Sequence, residues 1–340
     1  MLLFDHAYTV GVACGRTRID VLCQDTRPVE CSCDYLFAGV YPQRMATVTD
    51  EDRVISRIGK AITRGKCILF LGAGAHAPPP EGSLFEYPDE QRPPIGSTLS
   101  RQLAEECGFA EDFPNESTGN LMRVALAYEL STSRGELVDE IEYAVKDGKS
   151  PSPALSALAK LGFSLIITTN YDQLLEQALI AAGKEPRVSV YKPSADAETD
   201  ELLDPTAQSP IIYKLHGDIA ERESLVVTDE DYIQFVMRMA DKGQYDPIPL
   251  SLKAPLTTWS TLFVGYSLID YNLRLLLKTL RSKIDAANLK PMFSVDYHPD
   301  PLIVDVWGSG QHRRVEFIAQ DIWSFVPLLY KQVVGEELAP

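Results

Sequence analysis

The chain has 340 residues, 45% of them hydrophobic and 24% charged, and a formal net charge of −16. This is the composition of a globular chain long enough to bury a large core, and its acidity argues against a general basic face for nucleic acid, because such a surface repels a phosphate backbone. No apolar run approaches the roughly 20 residues of a membrane-spanning helix, and Asp5 and His6 interrupt the stretch that a signal peptide needs to be apolar, so a cytoplasmic protein without membrane contact is expected.

Residues 1–45 show no sustained period of 3.6 or 2 and are read as an N-terminal extension, with a start at Met45 as the alternative; residues 46–340 are read as one domain. Four of the six cysteines, Cys14, Cys23, Cys31 and Cys33, fall in the extension, and Cys67 and Cys107 stand alone. They lack the paired C-x-x-C spacing of a zinc ribbon and a secretory context for disulfides, so no metal is expected. After Met45, Thr47 or Thr49 is placed to cap a helix whose apolar positions Val54, Ile55, Ile58, Ala61 and Ile62 recur at helical spacing.

From there short apolar runs alternate with helical patterns. The expected strands are Cys67 to Leu71, Phe163 to Thr168, Ile211 to Leu215, Leu262 to Gly265, Met292 to Val295 and Val315 to Ile318, each bounded by turn or polar residues as buried parallel strands are. The expected helices are Leu99 to Cys107, Leu121 to Leu130, Glu136 to Val145, Leu155 to Lys160, Tyr171 to Ala182, Asp229 to Met239, Asn272 to Ile284 and Ile322 to Val333. The alternation implies an α/β fold with a Rossmann-like, doubly wound parallel sheet. The strandless stretch at about 97–160 reads as a helical insertion forming a second lobe, and Lys192 to Pro210, rich in Pro, Asp, Glu and Ser, as an exposed loop.

Four strand ends carry residues suited to chemistry. Gly72-Ala73-Gly74 lets a backbone approach a pyrophosphate closely, although a tight turn without a ligand is the other reading and the third glycine of the usual dinucleotide fingerprint is missing. Thr168-Thr169-Asn170-Tyr171-Asp172 puts an amide and a carboxylate at the carboxyl edge of the sheet, where they serve a ligand or cap the following helix. Lys214-Leu215-His216-Gly217-Asp218 holds a histidine able to accept a proton near neutral pH, or to serve structure alone. In Gly265-Tyr266-Ser267, the hydroxyl either donates to a phosphate or caps a helix.

Taken in order, GAG, TTNYD, KLHGD and GYSLID resemble the sirtuin family over about residues 50–335, and most closely its divergent bacterial branch, whose members act as NAD hydrolases in defence against phage. The resemblance implies NAD as substrate, with Gly72, Ala73 and Gly74 at the pyrophosphate, Thr169 on the dinucleotide, Asn170 and Asp172 beside the nicotinamide ribose, and His216 at ribose hydroxyls or water. It places Gly265 and Ser267 at the adenosine-side phosphate and Asp296 at the adenine ribose, a capped loop being the other reading of Asp296. The chain departs from sirtuin deacylases in having no cysteine after Cys107, hence no zinc module downstream of His216, and in replacing the Asp-Phe-Arg stretch by a proline-rich segment from Pro78 to Pro94. The expected activity is therefore cleavage of the nicotinamide–ribose bond to nicotinamide and ADP-ribose, in a regulated NAD-depleting effector. The alternatives are an NAD-dependent protein deacylase and a non-catalytic NAD or ADP-ribose sensor. Because uncontrolled cleavage would deplete the cell, control by homo-oligomerisation or by a separate partner, such as a hexameric translocase-type ATPase or an Argonaute-like protein, is expected.

Overall fold

The computed structural model describes residues 48–193, 204–240, 248–266, 268–269, 273–274, 277, 289–308 and 315–339. These lie in one folding unit, Thr47–Pro340. The proposed extension with its four cysteines, Met45, Thr47, Ser267 and most of the helix expected at Asn272 to Ile284 lie outside the described residues.

Among the described residues, seven strands form one all-parallel sheet in the order β3-β4-β2-β1-β5-β6-β7. The strands are β1 (Cys67–Leu71), β2 (Leu165–Thr168), β3 (Arg187–Val190), β4 (Ile211–Lys214), β5 (Ser260–Val264), β6 (Met292–Val295) and β7 (Val315–Ile318). Those at the centre are short, rich in Ile, Leu, Val and Phe and buried along their whole length, which is what helices on both faces of a parallel sheet demand. The doubly wound α/β expectation therefore holds. The strand missing from the sequence reading, Arg187–Val190, is an edge strand with no fully buried residue, so it carries no apolar run to detect.

The helices are α1 (Val48–Thr63), α2 (Gly96–Glu106), α3 (Phe109–Asp112), α4 (Leu121–Ser131), α5 (Arg134–Lys146), α6 (Pro153–Lys160), α7 (Leu174–Ala181), α8 (Asp229–Ala240), α9 (Leu250–Thr258), α10 (Pro301–Gly308) and α11 (Ile322–Val334). One sheet face is covered by α1, α6, α7 and α11, through residues such as Ile58, Leu158, Leu175 and Phe325; the other is covered by α8, α9 and α10, through Phe235, Leu256 and Trp307. Helices α2 to α5 enclose a separate core around Leu103, Phe109, Val124 and Ile141, which reaches the strand-end loops at Tyr171, Ile219 and Val227. Thr49, one of the two candidate caps, lies inside α1.

Register fixes the position of the site. Leu71 pairs with both Thr168 and Val264, Thr168 with Lys214, Val264 with Val295, and Val295 with Ile318. These residues form one row across the sheet, so Gly72, Thr169, Leu215 and Gly265 all emerge from the same edge. The strand order reverses direction between β1 and β5, and ligands of open α/β sheets bind outside the carboxyl ends of the strands at such a point.

A candidate active site at the carboxyl edge of the sheet

Where β1 and β5 end, their loops meet backbone to backbone. The Gly72 amide donates to the Val264 carbonyl at 3.0 Å and the Gly74 amide to the Gly265 carbonyl at 2.8 Å. Gly265 has φ +64°, and a Cβ there would lie 2.1 Å from the Ala75 nitrogen; one on Gly72 would lie 2.4 Å from the Gly265 oxygen. No side chain fits either position, so packing alone demands these glycines. The amides of Gly72, Gly74 and Ala75 are all bonded within the protein, the last to the Gly72 carbonyl.

The end of β2 is polar. Thr168 Oγ1 donates to the Leu71 carbonyl at 3.0 Å and accepts from the Asn170 amide at 3.1 Å, which sets the direction of the turn. Helix α7 has Gln173 at its N-cap without a side-chain cap bond, so neither Asn170 nor Asp172 caps it; Asp172 Oδ1 instead accepts from the Leu174 amide at 2.9 Å and closes the turn that leads into the helix. The other carboxylate oxygen lies 3.1 Å from His76 Nε2, and Asn170 Nδ2 lies 3.3 Å from the same nitrogen. All three side chains are buried, His76 with 2% and Asn170 and Asp172 with 7% of their surface exposed. Burial opposes ionisation of Asp172, but the facing His76 ring and Lys214 outweigh it and hold the carboxyl below the usual carboxylate range.

Behind this turn, Lys214 is wholly buried at the end of β4. Its Nζ lies 2.7 Å from Asp218 Oδ2 and 3.2 Å from Glu176 Oε1, and donates to the carbonyl of Asp172 at 2.5 Å. Burial disfavours the ammonium, yet these carboxylates hold Lys214 above the usual lysine range, while burial pushes the Glu176 carboxyl up. Asp218 is thus its nearer counter-ion, and the cluster clamps the backbone that carries Asp172. His216 follows two residues after Lys214. Its Nδ1 lies 3.3 Å from the Tyr232 hydroxyl, and its ring stands edge-on to Tyr232 at 5.1 Å. Gly217 has φ +89° and is overlain by the Ser224 carbonyl, so the histidine loop is as tightly constrained as the glycine turn.

These segments surround one cleft of about 970 Å³, at the upper end of the range for ligand sites. Ala73, Gly74, Thr169, Asn170, Asp172, His216 and Gly265 line it from the sheet side, and Asn120 and Arg123 of the helical lobe and Tyr232, Ile233 and Met237 of α8 from the other. Gly72 and Asp296 are not among the lining residues; Asp296 Oδ1 accepts from the His298 amide at 3.0 Å, closing its own loop. A second cleft of about 670 Å³ shares His76, Pro93, Pro94 and Leu99 with the first. Sequence reading gave no part in this site to His76, Tyr232, Arg123 or Lys214. His76 lay two residues past the GAG turn and Lys214 inside a quoted motif, but Asp172, the partner of His76, and Glu176 and the Asp172 carbonyl, two of the partners of Lys214, lie in distant segments. Among the described residues, no group of three or more His, Cys, Asp or Glu is arranged to hold a metal ion, and no helix is long and apolar enough to cross a membrane.

Residues 164–317, which include three of the four strand-end segments around the cleft, match the family described as SIR2-like domain. The chain's relatives are more particular. It is 30% identical over 232 residues to NAD(+) hydrolase ThsA of Enterococcus faecium, covering 68% of this chain and 43% of that protein. It is 29% identical over 238 residues to NAD(+) hydrolase ThsA of Acinetobacter baumannii, covering 68% and 42%. Defense-associated sirtuin 2 of Bacillus subtilis is 26% identical over 255 residues, 73% of this chain and 22% of that protein. The chain thus spans less than half the length of each of these relatives.

Proposed function

We propose that the chain hydrolyses NAD at the nicotinamide–ribose bond, releasing nicotinamide and ADP-ribose, and that it acts as a regulated NAD-depleting effector in bacterial anti-phage defence. The observation that carries this reading is the meeting of Asn170, Asp172 and His216 on one wall of a cleft large enough for a dinucleotide, beside the backbone turn of Ala73 and Gly74. The names of the relatives, NAD(+) hydrolase and defence-associated sirtuin, support it.

The reaction expels a neutral leaving group and leaves an oxocarbenium-like ribose, so the site must hold the ring, favour positive charge and admit water. In this assignment Asn170 orients the nicotinamide ribose or the attacking water, and the Asp172 carboxylate supplies negative charge close by. His216 accepts a proton from a ribose hydroxyl or from the water. Ala73, Gly74 and Thr169 face the pyrophosphate side, with Gly72 shaping the turn; Gly265 and Ser267 take the adenosine-side phosphate and Asp296 the adenine ribose. No step calls for a metal. Control falls to self-assembly or to a separate partner, of the translocase-ATPase or Argonaute-like kind.

The test is to incubate purified protein with NAD, alone and with the products of neighbouring genes, and to measure nicotinamide. Release without any acylated peptide supports the hydrolase. Release only with an acylated peptide would make it a deacylase, and calorimetric binding without release would make it a sensor.

A further inference from the structure

His76 has no role in that assignment, yet it is the side chain on which Asn170 and Asp172 converge. Both Asp172 oxygens are engaged, one by the Leu174 amide and the other by His76 Nε2. An ionised carboxylate only accepts hydrogen bonds, so the ring nitrogen facing it carries the proton. The Asn170 atom 3.3 Å from that N–H is then its oxygen, because an amide rotated by 180° occupies the same space and only the oxygen can accept from the ring. The rotation also turns the Asn170 amino group away from His76.

With the proton on Nε2, the neutral ring leaves Nδ1 as an acceptor. Among the described residues Nδ1 has no hydrogen-bond partner, although the ring is 2% exposed and lines both clefts. A buried polar atom left in this way is satisfied by water or a ligand, or it costs stability. Beside His76 stands a carboxylate, which stabilises the imidazolium formed by proton uptake.

We propose that His76 is a catalytic residue of the hydrolysis: its Nδ1 takes the proton from the attacking water, and Asp172 is its positioning partner. The proposal rests on the NAD-hydrolase reading. In the step, an O–H bond of water breaks and its proton passes to Nδ1 while the oxygen bonds to the anomeric carbon. The carbon–nitrogen bond breaks with its electron pair going to the pyridinium nitrogen, so nicotinamide leaves neutral. The imidazolium, balanced by Asp172, returns its proton to solvent. His216 is left to the ribose hydroxyls.

The experiment compares wild type, His76→Ala, His76→Gln and His216→Ala for nicotinamide release, NAD affinity by calorimetry and melting temperature. For His76→Ala, kcat is expected to fall about 10²–10³-fold while NAD still binds within a few-fold of wild type. Added imidazole should restore part of the rate to His76→Ala and none to His216→Ala. If His76→Ala does not fold, His76→Gln, which can still donate to Asp172, must show the same loss of kcat with NAD affinity kept. Near-normal kcat in either folded variant would overturn the proposal, as would a folded, NAD-binding His76→Ala that imidazole does not rescue. Absence of nicotinamide release by wild type under activating conditions would remove the hydrolase reading itself, before any variant is compared.

Discussion

Between β1 and β5 the strand-end loops meet as bare backbone, whereas between β1, β2 and β4 they meet through buried polar side chains. In the first seam Gly72, Gly74 and Gly265 are required because a Cβ at any of them would strike the facing loop at 2.1–2.8 Å. That requirement exists whether or not anything binds. In the second, His76, Asn170, Asp172, Lys214 and His216 are all buried, and desolvation works against every one of them that carries charge. Apolar residues would fill the same space at lower cost. The glycine seam therefore reports how the β1 and β5 loops pack, and on the proposed assignment the polar seam reports what the protein does.

The sharpest test of this contrast lies inside the polar seam, where the proposed assignment gives Lys214 to the fold and Asn170 to the chemistry. Lys214→Met would leave Asp218 and Glu176 buried without their cation, and should destabilise the protein by about 3–5 kcal/mol in denaturant titration. A loss below about 1 kcal/mol would mean that the clamp behind Asp172 is dispensable. Asn170→Ala should do the reverse: nicotinamide release should fall about 10²–10³-fold, roughly 2.7–4 kcal/mol in the barrier, with the melting temperature near that of wild type. Substantial hydrolysis by that variant would sink the role given to Asn170.

The glycine seam gives the matching structural prediction. Gly265→Ala combines a left-handed backbone with a clash against the Ala75 nitrogen, and should cost about 2–3 kcal/mol of stability. Activity per folded molecule should change less than in Asn170→Ala. If instead Gly265→Ala folds normally and loses only turnover, the glycines serve the ligand and the contrast between the seams fails.

The two seams were also unequally legible in the sequence. Glycines at strand ends announce themselves, as do apolar runs such as Cys67–Leu71 and Met292–Val295, because period and punctuation are local properties. Helices α9 and α10 have no counterpart among the expected elements: Pro255 lies within the first, and the second opens directly after Pro299 and Asp300. The polar seam was legible only as separate residues. Asn170, Asp172 and His216 were found by their places after strands, but the contact of His76 with Asp172 joins positions 96 apart, and nothing local in the sequence signals it. The same distance hid the tie between Lys214 and the Asp172 carbonyl, 42 residues apart.

The smallest expected effect separates the seams by pH. Asp172 has a carboxyl held below its ordinary value, so its ionised form contributes stability that is fully present above the unfolded-state pKa, near 3.9, and is lost as pH falls through the lower folded-state value. Asp172→Asn keeps an acceptor for the Leu174 amide, since an asparagine side chain closes the same kind of turn, but removes the charge facing His76 and Lys214. The melting temperature of this variant should therefore lie below that of wild type at pH 7, and the gap should narrow as both are acidified below about pH 4. Gly265→Ala contains no altered titrating group, so its gap from wild type should stay nearly constant over the same range. If the Asp172→Asn gap also stays constant, the carboxylate is not stabilised by its neighbours in the folded state, and the pairing with His76 that orders the polar seam does not form.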